Sequence, residues 1–445
     1  MTIDAIFKAY DVRGLAPEQL DATLSRQIGA AFARFVADSE GAEAIVLGHD
    51  MRPTGPQFSA AFAEGVMSQG VDVVDIGLAS TDMMYFASGS MDLPGAVFTA
   101  SHNPAEYNGI KMCRRGAAPL AGETGLDAIK EMSRSLLDPV DAPGSSRSAE
   151  MLDDFANHVL SFIDVSALRP LKVVADTANG MGGLVVPAVF DKLPFDLEIM
   201  YPELDGTFRN HPADPLNEEN LVDLKARVLE VGADIGLAFD GDADRVFLVD
   251  AKAEGVSGSL TTALVAREVL ETEPGATVLY NLICSKVVPE IIAENGGTSV
   301  RTRVGHSFIK KVMAETGAAF GGEHSGHYYF RDNWRADSGL IAAVVVLAAM
   351  CAADRPLDEL VKPLRRYSAS GEINTKVDDT NAVIEQVAAA YSDFDQDRMD
   401  GLTVDCGDWW FNLRPSNTEP LLRLNLEAAD DTEVVKRVQE VRSNF

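Results

Sequence analysis

The residues able to do chemistry in this chain begin with a serine that follows a short apolar strand. Residues 97–104 read Val-Phe-Thr-Ala-Ser-His-Asn-Pro, so Ser101 lies in a polar turn directly after a predicted buried strand. A strand end is rigid and presents a hydroxyl at a fixed place at the sheet edge, where α/β proteins keep their sites. An ordinary turn serine or a helix cap is the alternative interpretation. We take Ser101 as the first candidate for chemistry.

Three aspartates at every second position form the second candidate. Asp240, Asp242 and Asp244 follow the apolar strand predicted for residues 233–239. In an extended chain, a spacing of two places all three side chains on the same side. Such close carboxylates repel one another unless a cation lies among them, and oxygen ligands suit Mg²⁺ or Ca²⁺.

The aspartates have two other interpretations. An EF-hand loop is excluded because its sixth position is Arg245 instead of glycine, its twelfth is Ala251 instead of glutamate, and a strand precedes it. An exposed acidic turn stays open, since the whole chain is acidic. Arg245 argues against that turn, because an arginine beside a metal is well placed to hold a phosphate that the metal also touches.

Two further segments carry groups suited to a sugar or a phosphate. The glycines of residues 321–327 allow the backbone to approach a ligand, and Glu323 and Ser325 could bond to vicinal hydroxyls, although a plain glycine hairpin is the alternative. The turn at 414–420 could wrap a phosphate dianion with side-chain donors, although a Pro-rich turn is the alternative. Its donors are Arg414, Ser416, Asn417 and Thr418.

Basic, aromatic and imidazole side chains lie near the N-terminus, shortly after Ser101, and in the last third of the chain. Around residues 305–311 they accompany a predicted helix start, where anions are favoured, although His306 alone is more often a cap or core residue. These side chains are Lys8, Tyr10, Arg13, Lys111, His306, Lys310 and Lys311.

Composition limits the class of protein and its partners. With 445 residues, two to four domains are expected, and 46% hydrophobic with 24% charged residues fits a globular protein. The net charge of −30 disfavours nucleic acid and anionic membranes as partners. Four scattered cysteines and an N-terminus without a signal region predict a reduced, cytoplasmic setting.

Alternating strand and helix patterns predict three successive α/β units followed by a small α+β unit. Residues 141–146 are expected to form a linker, and the pattern changes to short strands and two helices beyond about residue 367. The predicted domains span residues 1–146, 147–250, 251–366 and 367–445.

In their order along the chain, the four motif loops resemble those of the α-D-phosphohexomutases, in particular the bacterial phosphomannomutase/phosphoglucomutase branch. The loops are Thr-Ala-Ser-His-Asn-Pro, Asp-Gly-Asp-Ala-Asp-Arg, Gly-Glu-His-Ser-Gly-His and Arg-Pro-Ser-Asn-Thr-Glu-Pro. The resemblance implies three related mixed-sheet α/β domains plus a C-terminal α+β domain around a central cleft. It also implies phosphate transfer between C6 and C1 of mannose or glucose through a hexose 1,6-bisphosphate, which serves as activator.

The resemblance further implies roles for individual residues. Ser101 would carry the phosphoryl group, and Mg²⁺ would be held by Ser101, Asp240, Asp242 and Asp244. The other residues implied in catalysis are Arg13, His102, Lys111, Arg245 and His306. Those implied in substrate binding are Tyr10, Lys286, Gly305, His306, Glu323, Ser325, His327, Arg414, Ser416, Asn417, Thr418 and Arg423.

Two positions depart from the commonest family pattern. Ala243 replaces a frequent glycine in the metal loop, so we expect an ordinary backbone conformation there. His324 stands where other branches carry methionine, glutamine or glutamate, at a position that tracks substrate preference. Mannose versus glucose preference therefore stays open.

Three other functions compete with a hexose-phosphate mutase. A phosphoglucosamine mutase usually has glutamine in place of His324. A hexose 1,6-bisphosphate synthase would use the same phosphoserine and release the intermediate. A silent phosphosugar-binding regulator would need neither Ser101 nor the aspartates. The oligomeric state, monomer or homodimer, is open, and phosphosugars are the expected partners.

Overall fold

The structure, a computed structural model, describes residues 3–415 and 421–445, with the side chain of His306 left out. Its described strands form four sheets, and we call each sheet with its helices a unit. The first three units are α/β, and the fourth is an antiparallel sheet with helices, which confirms the predicted fold class.

Unit 1 carries a mixed sheet of seven strands in the order β1-β5-β4-β2-β3-β7, with β6 on β5. Its strands are β1 (Val12–Leu15), β2 (Ala44–His49), β3 (Asp72–Leu78), β4 (Gly95–Phe98), β5 (Tyr107–Arg114), β6 (Ala118–Pro119) and β7 (Ser146–Ser148). Its helices are α1 (Ala22–Glu40), α2 (Gly55–Ser68), α3 (Thr81–Met91) and α4 (Leu126–Met132).

Units 2 and 3 repeat this theme with smaller sheets, in the orders β12-β11-β10-β8-β9 and β14-β13-β15-β16. The strands are β8 (Lys172–Asp176), β9 (Asp196–Met200), β10 (Ile235–Phe239), β11 (Val246–Asp250), β12 (Gly255–Val256), β13 (Thr277–Asn281), β14 (Thr298–Thr302), β15 (Phe320–Gly322) and β16 (Tyr328–Phe330). The helices are α5 (Leu152–Leu160), α6 (Gly182–Phe190), α7 (Val222–Val231), α8 (Gly258–Thr272), α9 (Val287–Glu294), α10 (His306–Thr316), α11 (Gly339–Ala353) and α12 (Leu357–Val361).

Unit 4 has an antiparallel sheet in the order β17-β21-β20-β19-β18, packed against two helices. Its strands are β17 (Ser368–Lys376), β18 (Asp395–Asp397), β19 (Leu402–Asp405), β20 (Trp410–Pro415) and β21 (Leu421–Ala428). Its helices are α13 (Thr380–Ala390) and α14 (Asp431–Arg442).

Local sequence accounts for where several elements begin and end. Helix α1 begins after Asp21, whose carboxylate accepts a hydrogen bond from the Leu24 amide, and ends at Gly41 with a φ of 64°. Every residue of β10 is buried, which explains its continuous apolar run. The turns that contain Ser101 and the three aspartates follow two such buried strands, β4 and β10.

The largest apolar core runs through units 1, 2 and 3, each of which also has a smaller core of its own, whereas the core of unit 4 is confined to that unit. The shared core includes Val97, Leu237 and Val278 from three different sheets. The core of unit 4 is built around Phe411 and its neighbours on the same sheet. The first three units are therefore packed as one block.

The structure differs from the sequence expectations in its elements and in the expected linker. Helix α3 and strands β1 and β5 went unpredicted, and the expected linker at 141–146 runs directly into β7, which pairs with β3.

Within the described residues, no single helix is long and apolar enough to cross a membrane. Helix α11 together with residues 357–364, bent by 94°, meets the criteria for a membrane span by length and composition only.

Candidate functional site

The serine turn (residues 100–107) joins β4 to β5 at one sheet edge of unit 1. Ser101 is 4% exposed and has a φ of 50°, in the left-handed region that non-glycine residues seldom adopt. Its amide donates a hydrogen bond to Thr99 Oγ1 at 2.9 Å. Such a conformation persists only where the surroundings hold it, and it is typical of functional turns.

The aspartate turn (residues 240–245) joins β10 to β11 and lies directly against the serine turn. A Cβ on Gly241 would come within 2.3 Å of the Ser101 carbonyl oxygen, so only glycine fits there. Ala243 has a φ of 60°, which shows that the expectation of an ordinary backbone at this position is wrong. The turn requires the left-handed conformation, and the alanine adopts it because both flanking strands are buried and fixed.

The two turns bring Ser101 and the three aspartates together. The Ser101 hydroxyl donates to Asp240 Oδ2 at 2.7 Å, and all three aspartates are fully buried. Lys111 Nζ lies 2.7 Å from Asp242 Oδ2 and 2.6 Å from Asp244 Oδ2. The cluster is thus a buried, charged site and not an exposed acidic turn.

Burial and neighbouring charges shift the pKa values of the cluster residues in different directions. Burial, together with the other two aspartates, raises the pKa of Asp240 to about 7. Burial alone would also raise the pKa of Asp242, but the Lys111 ammonium and a hydrogen bond from Thr81 lower it. Burial opposes the charge of Lys111, yet the carboxylates of Asp242 and Asp244 raise its pKa well above the usual value. The ammonium is therefore a permanent counter-charge.

The aspartate oxygens fit a divalent cation. Each of the three carboxylates offers one oxygen within 4.8 Å of the others. Asp242 Oδ1 and Asp244 Oδ1 are buried without a hydrogen-bond partner, although their second oxygens bond to Lys111. Buried oxygens without partners cost free energy unless a ligand satisfies them. Hard carboxylate oxygens are what Mg²⁺ binds.

Arg245 and His102 complete the wall around the serine hydroxyl. The Arg245 guanidinium donates to Asp240 Oδ2, at 2.9 Å from Nε and 2.8 Å from Nη2. It also donates to His102 Nδ1 at 2.5 Å, and that nitrogen lies 3.3 Å from Ser101 Oγ. Burial, reinforced by the Arg245 charge, lowers the pKa of His102 well below its usual value, so its imidazole is neutral.

Arg13 approaches the serine turn from β1. Its guanidinium donates to Asn103 Oδ1 and to Asp11 Oδ2, both at 2.6 Å. Tyr10 is half-buried nearby, and burial raises its pKa, with smaller contributions from the charges of Asp11 and Glu323. The N-terminal segment therefore reaches the serine turn through Arg13.

The 323–327 loop lies between β15 and β16 in unit 3. Glu323 is 2% exposed, and its carboxylate accepts bonds from Asn281 Nδ2 at 3.0 Å, the Gly305 amide at 3.0 Å and the Tyr329 hydroxyl at 2.7 Å. Most of the acceptor capacity of this carboxylate is therefore used to hold the 323–327 loop to the segment around Gly305. Ser325, half-buried, lies near the tip of the loop.

His327 links this loop to the aspartate turn. Its Nδ1 lies 2.9 Å from Asp337 Oδ2 and 3.9 Å from Asp244 Oδ1. Burial opposes its charge, but the hydrogen bond to Asp337 and the nearby carboxylates raise its pKa. Burial, reinforced by the guanidinium of Arg414, lowers the pKa of the nearby His324 to about 3, so the pKa values of these two imidazoles shift in opposite directions.

Of the two lysines near the start of α10, Lys310 is buried and paired, whereas Lys311 is exposed. Lys310 is 1% exposed, its ammonium lies 3.0 Å from Asp337 Oδ1, and it stacks 3.7 Å from the centre of the Tyr85 ring. It is buried because it joins units 1 and 3. Gly305 precedes the helix, and the side chain of His306 lies outside the described part of the structure.

Unit 4 carries a second cluster of basic groups. Arg414 donates to Glu372 Oε2 at 2.8 Å, and Arg423 lies 3.5 Å from Glu372 Oε1. Lys286, predicted to bind substrate, donates instead to Asp405 Oδ1 and to the Gly407 carbonyl, each at 2.8 Å. The predicted positions Ser416, Asn417 and Thr418 lie outside the described residues.

Several residues that the sequence analysis missed also line the site. Thr81 donates to Asp242 Oδ2 at 2.5 Å, and Arg52 lies beneath the serine turn. The available signal was the run Gly-His-Asp-Met-Arg at 48–52, where β2 ends, because parallel strand ends meet at one sheet edge. Thr81 carried no signal, since the helix it begins was not predicted.

Comparison with known proteins gives a consistent result over the whole chain. Residues 4–136, 152–255 and 257–367 match the Phosphoglucomutase/phosphomannomutase alpha/beta/alpha domains I, II and III, and residues 372–443 match the C-terminal domain of that family. The matches agree with the resemblance seen in the motifs.

Similar proteins and structures extend the match to full length. "Phosphohexose mutases" of Xanthomonas campestris is 39% identical over 450 residues, covering 99% of both chains. "Phosphomannomutase" of Salmonella montevideo is 39% identical, covering 98% of this chain and 97% of its own. A crystal structure of a phosphoglucomutase/phosphomannomutase family protein from Burkholderia thailandensis is 32% identical, covers 100% of this chain and 97% of its own, and has a TM-score of 0.92.

Proposed function

The chain belongs to the phosphoglucomutase/phosphomannomutase family and is a hexose-phosphate mutase, and we propose that Ser101 is its phosphoryl carrier. The observation that carries this proposal is the contact of the Ser101 hydroxyl with Asp240 Oδ2, beside two buried aspartate oxygens that lack partners. A hydroxyl in that position becomes a phosphoryl donor once phosphorylated, because the site already balances the charge that develops on transfer.

The reaction then consists of two transfers. In the first, a sugar hydroxyl oxygen bonds to phosphorus while the bond from phosphorus to Ser101 Oγ breaks, giving the hexose 1,6-bisphosphate. The sugar hydroxyl loses a proton and Ser101 Oγ gains one, which it shares with Asp240. After the bisphosphate turns over, Ser101 Oγ takes the other phosphoryl group by the reverse step. Added hexose 1,6-bisphosphate activates the enzyme by phosphorylating Ser101.

Asp240, Asp242 and Asp244, with an oxygen on Ser101, would hold Mg²⁺. The ion would supply charge neutralisation at the transferred phosphoryl group. Lys111 and Arg245 keep the carboxylates oriented by bonding to their other oxygens. Arg245 and neutral His102 add a donor and an acceptor next to Ser101 Oγ.

The remaining predicted residues are proposed to bind the sugar and its second phosphate. His327 and Ser325 lie on the 323–327 loop, which Glu323 fixes in place. Arg414 and Arg423 lie side by side on β20 and β21, where a phosphate could replace Glu372 between them. The other proposed contacts are Tyr10, Arg13, Lys286, Gly305, His306, Ser416, Asn417 and Thr418.

We also propose a reduced, cytoplasmic setting, a phosphosugar partner, and a monomer or homodimer. All four cysteines are free thiols, and two of them, Cys113 and Cys284, are buried. Free thiols without disulfides are typical of a reducing compartment.

The experiment compares the wild type with Ser101→Ala in mannose 1-phosphate and glucose 1-phosphate assays, each with and without added bisphosphate. We expect Ser101→Ala to lose turnover by at least about 1,000-fold. Intact-mass analysis should show a phosphorylated fraction only in proteins that retain Ser101. Ser90→Ala, a matched change on α3 away from the site, should behave as wild type. A Ser101→Ala enzyme with near-normal turnover would refute the carrier assignment.

The same assays separate the competing activities. A mutase converts hexose 1-phosphate to hexose 6-phosphate with catalytic amounts of bisphosphate. A bisphosphate synthase accumulates free bisphosphate in proportion to a phosphoryl donor, and a phosphoglucosamine mutase prefers glucosamine 1-phosphate. Relative kcat/KM for the three sugars decides among them.

A further inference from the structure

Arg52 is a buried arginine whose guanidinium is devoted to the main chain of the serine turn. Its side chain is 0% exposed, and it follows β2 on the polar run at residues 48–52. Nη1 donates to two carbonyl oxygens at 2.8 Å, and Nη2 donates to two more at 2.9 and 2.7 Å. The four acceptors belong to Pro104, Tyr107, Ser101 and Asn103.

These four carbonyl oxygens all lie in the serine turn, and all four point toward the Arg52 guanidinium. Hydrogen bonds within the turn, from the Asn103 amide to Ala100 and from the Tyr107 amide to Pro104, only join residues of the turn to one another. The guanidinium is what connects the turn to the end of β2. Buried carbonyl groups without donors are costly, so removing Arg52 leaves several of them unsatisfied at once.

The charge of Arg52 is compensated by groups on either side. Asp50 Oδ2 lies 3.4 Å from Nε, and the Asp50 Oδ1 atom accepts the Arg52 amide at 3.0 Å. The ring of Phe208, from unit 2, lies 5.1 Å from the guanidinium carbon. Burial lowers the pKa of Arg52, and the Asp50 carboxylate opposes that effect. The serine turn is therefore held by a fixed cation that unit 2 also covers.

The conformation of Ser101 shows why such a support is needed. Its φ of 50° is strained, and its carbonyl oxygen, which Arg52 holds, is the same atom that lies against Gly241 of the aspartate turn. A shift of this carbonyl would move the Ser101 hydroxyl relative to Asp240. Positional errors of about 1 Å can cost about 100-fold in rate.

We propose that Arg52 is a positioning residue that fixes the Ser101 hydroxyl against the aspartates by clamping four carbonyl oxygens of the serine turn. The proposal rests on the proposed role of Ser101 as phosphoryl carrier. Arg52 touches no reacting atom, so it acts on the geometry of transfer and not on the affinity for sugar. A planar fork is required, because a lysine ammonium cannot reach four acceptors in one plane.

The test compares Arg52→Lys and Arg52→Ala with the matched control Arg34→Ala, which removes a half-buried arginine of α1 bonded to Gln69. We expect kcat to fall about 100-fold in both Arg52 variants while KM changes less than about 3-fold. Guanidinium ion at non-denaturing concentration should restore kcat of Arg52→Ala by about 10-fold or more, because it refills the site of the lost group. The control should show neither effect.

Hydrogen exchange of the amides in residues 100–109 supplies a readout that does not depend on activity. Exchange should quicken in both Arg52 variants and stay unchanged in Arg34→Ala. If Arg52→Ala fails to fold, Arg52→Lys decides by the same measurements. Unchanged kcat, or a loss of kcat without faster exchange in this segment, overturns the proposal. If the carrier assignment fails instead, Ser101→Ala stays active while the exchange result for Arg52 is unaffected.

Discussion

The interface between units 1 and 3 differs from the interface between units 3 and 4 in the kind of contacts and in their burial. At the first, the Trp334 ring packs 6.0 Å from that of Phe86, and Lys310 lies buried between Tyr85 and Asp337. A carboxyl on α3, Asp82, accepts a bond from Ser338 at 2.7 Å, and burial raises its pKa to about 7. These contacts are apolar or buried.

At the second interface, the contacts described are largely polar and partly exposed. Lys286 pairs with Asp405, Arg301 pairs with Asp397, and the Lys286 amide donates to Glu427. Exposed ion pairs contribute little to stability and are screened by salt. From this difference we infer that units 1 to 3 form a rigid block relative to which unit 4 can move, and the proposed transfer site lies wholly on the block.

That division suits a mutase. The proposed phosphoryl transfer at Ser101 requires fixed geometry, whereas a bisphosphate that must reorient requires a cleft that can loosen and close. Arg414 and Arg423, the proposed clamp for the second phosphate, lie on the part with its own core.

We expect the largest change in stability when one core phenylalanine is replaced by alanine in either region, the block or unit 4. Phe411→Ala should destabilise unit 4 by about 3–5 kcal/mol without moving the unfolding transition of the block, because the two cores are separate. Phe320→Ala, also fully buried, should do the reverse.

Tryptophan fluorescence distinguishes the two transitions in denaturant, since the three tryptophans are divided between the regions. A Trp334→Phe background leaves Trp409 and Trp410 in unit 4, and a background with both of those replaced leaves Trp334 in the block. One coincident transition, displaced equally by both substitutions, would contradict the division.

A smaller effect is expected from Gly89→Ala at the buried interface. A Cβ at this position would lie 2.2 Å from the ring of Trp334, so units 1 and 3 would have to separate slightly. We expect a loss of about 1–3 kcal/mol in the transition reported by Trp334, and none in unit 4. Ser90→Ala, the next position on the same helix, is the control. Equal stability of Gly89→Ala and wild type would show that the interface is loosely packed.

The smallest effect is expected at the polar interface. Asp397→Asn removes the ion pair with Arg301 and should lower the stability of unit 4 by less than about 1 kcal/mol. The difference from wild type should vanish in about 1 M salt, where screening acts within about 3 Å. Asp354→Asn, which breaks an exposed pair with Arg169 inside the block, should leave unit 4 unchanged. A larger, salt-independent loss for Asp397→Asn would mean that unit 4 is locked to the block.

Much of the fold could be predicted from local pattern. Three α/β units followed by a small α+β unit are present, as the alternating strand and helix pattern predicts. Helix α3 was missed because most of its residues are buried, so it lacks the polar face that reveals a helix. A helix buried on several sides carries little periodic signal.

In the candidate site, too, some residues could be recognised from local sequence and others could not. Ser101 and the aspartates were identifiable because strand ends and alternating carboxylates are local features. The backbone of Ala243 was predicted wrongly and the burial of Lys310 was not predicted, since neighbours distant in sequence decide both. Arg52 was missed because its partners are main-chain carbonyl oxygens 49 to 55 positions away.

By itself, the sequence determined the alternation of strands and helices, the family, and the side chains that could transfer a phosphoryl group, because these depend on residue type and spacing. The three-dimensional packing was needed to show which charges neutralise one another, which backbone positions are strained, and that three units share a core while the fourth does not. Those properties depend on packing and burial between distant segments, where desolvation and close contact set the energies.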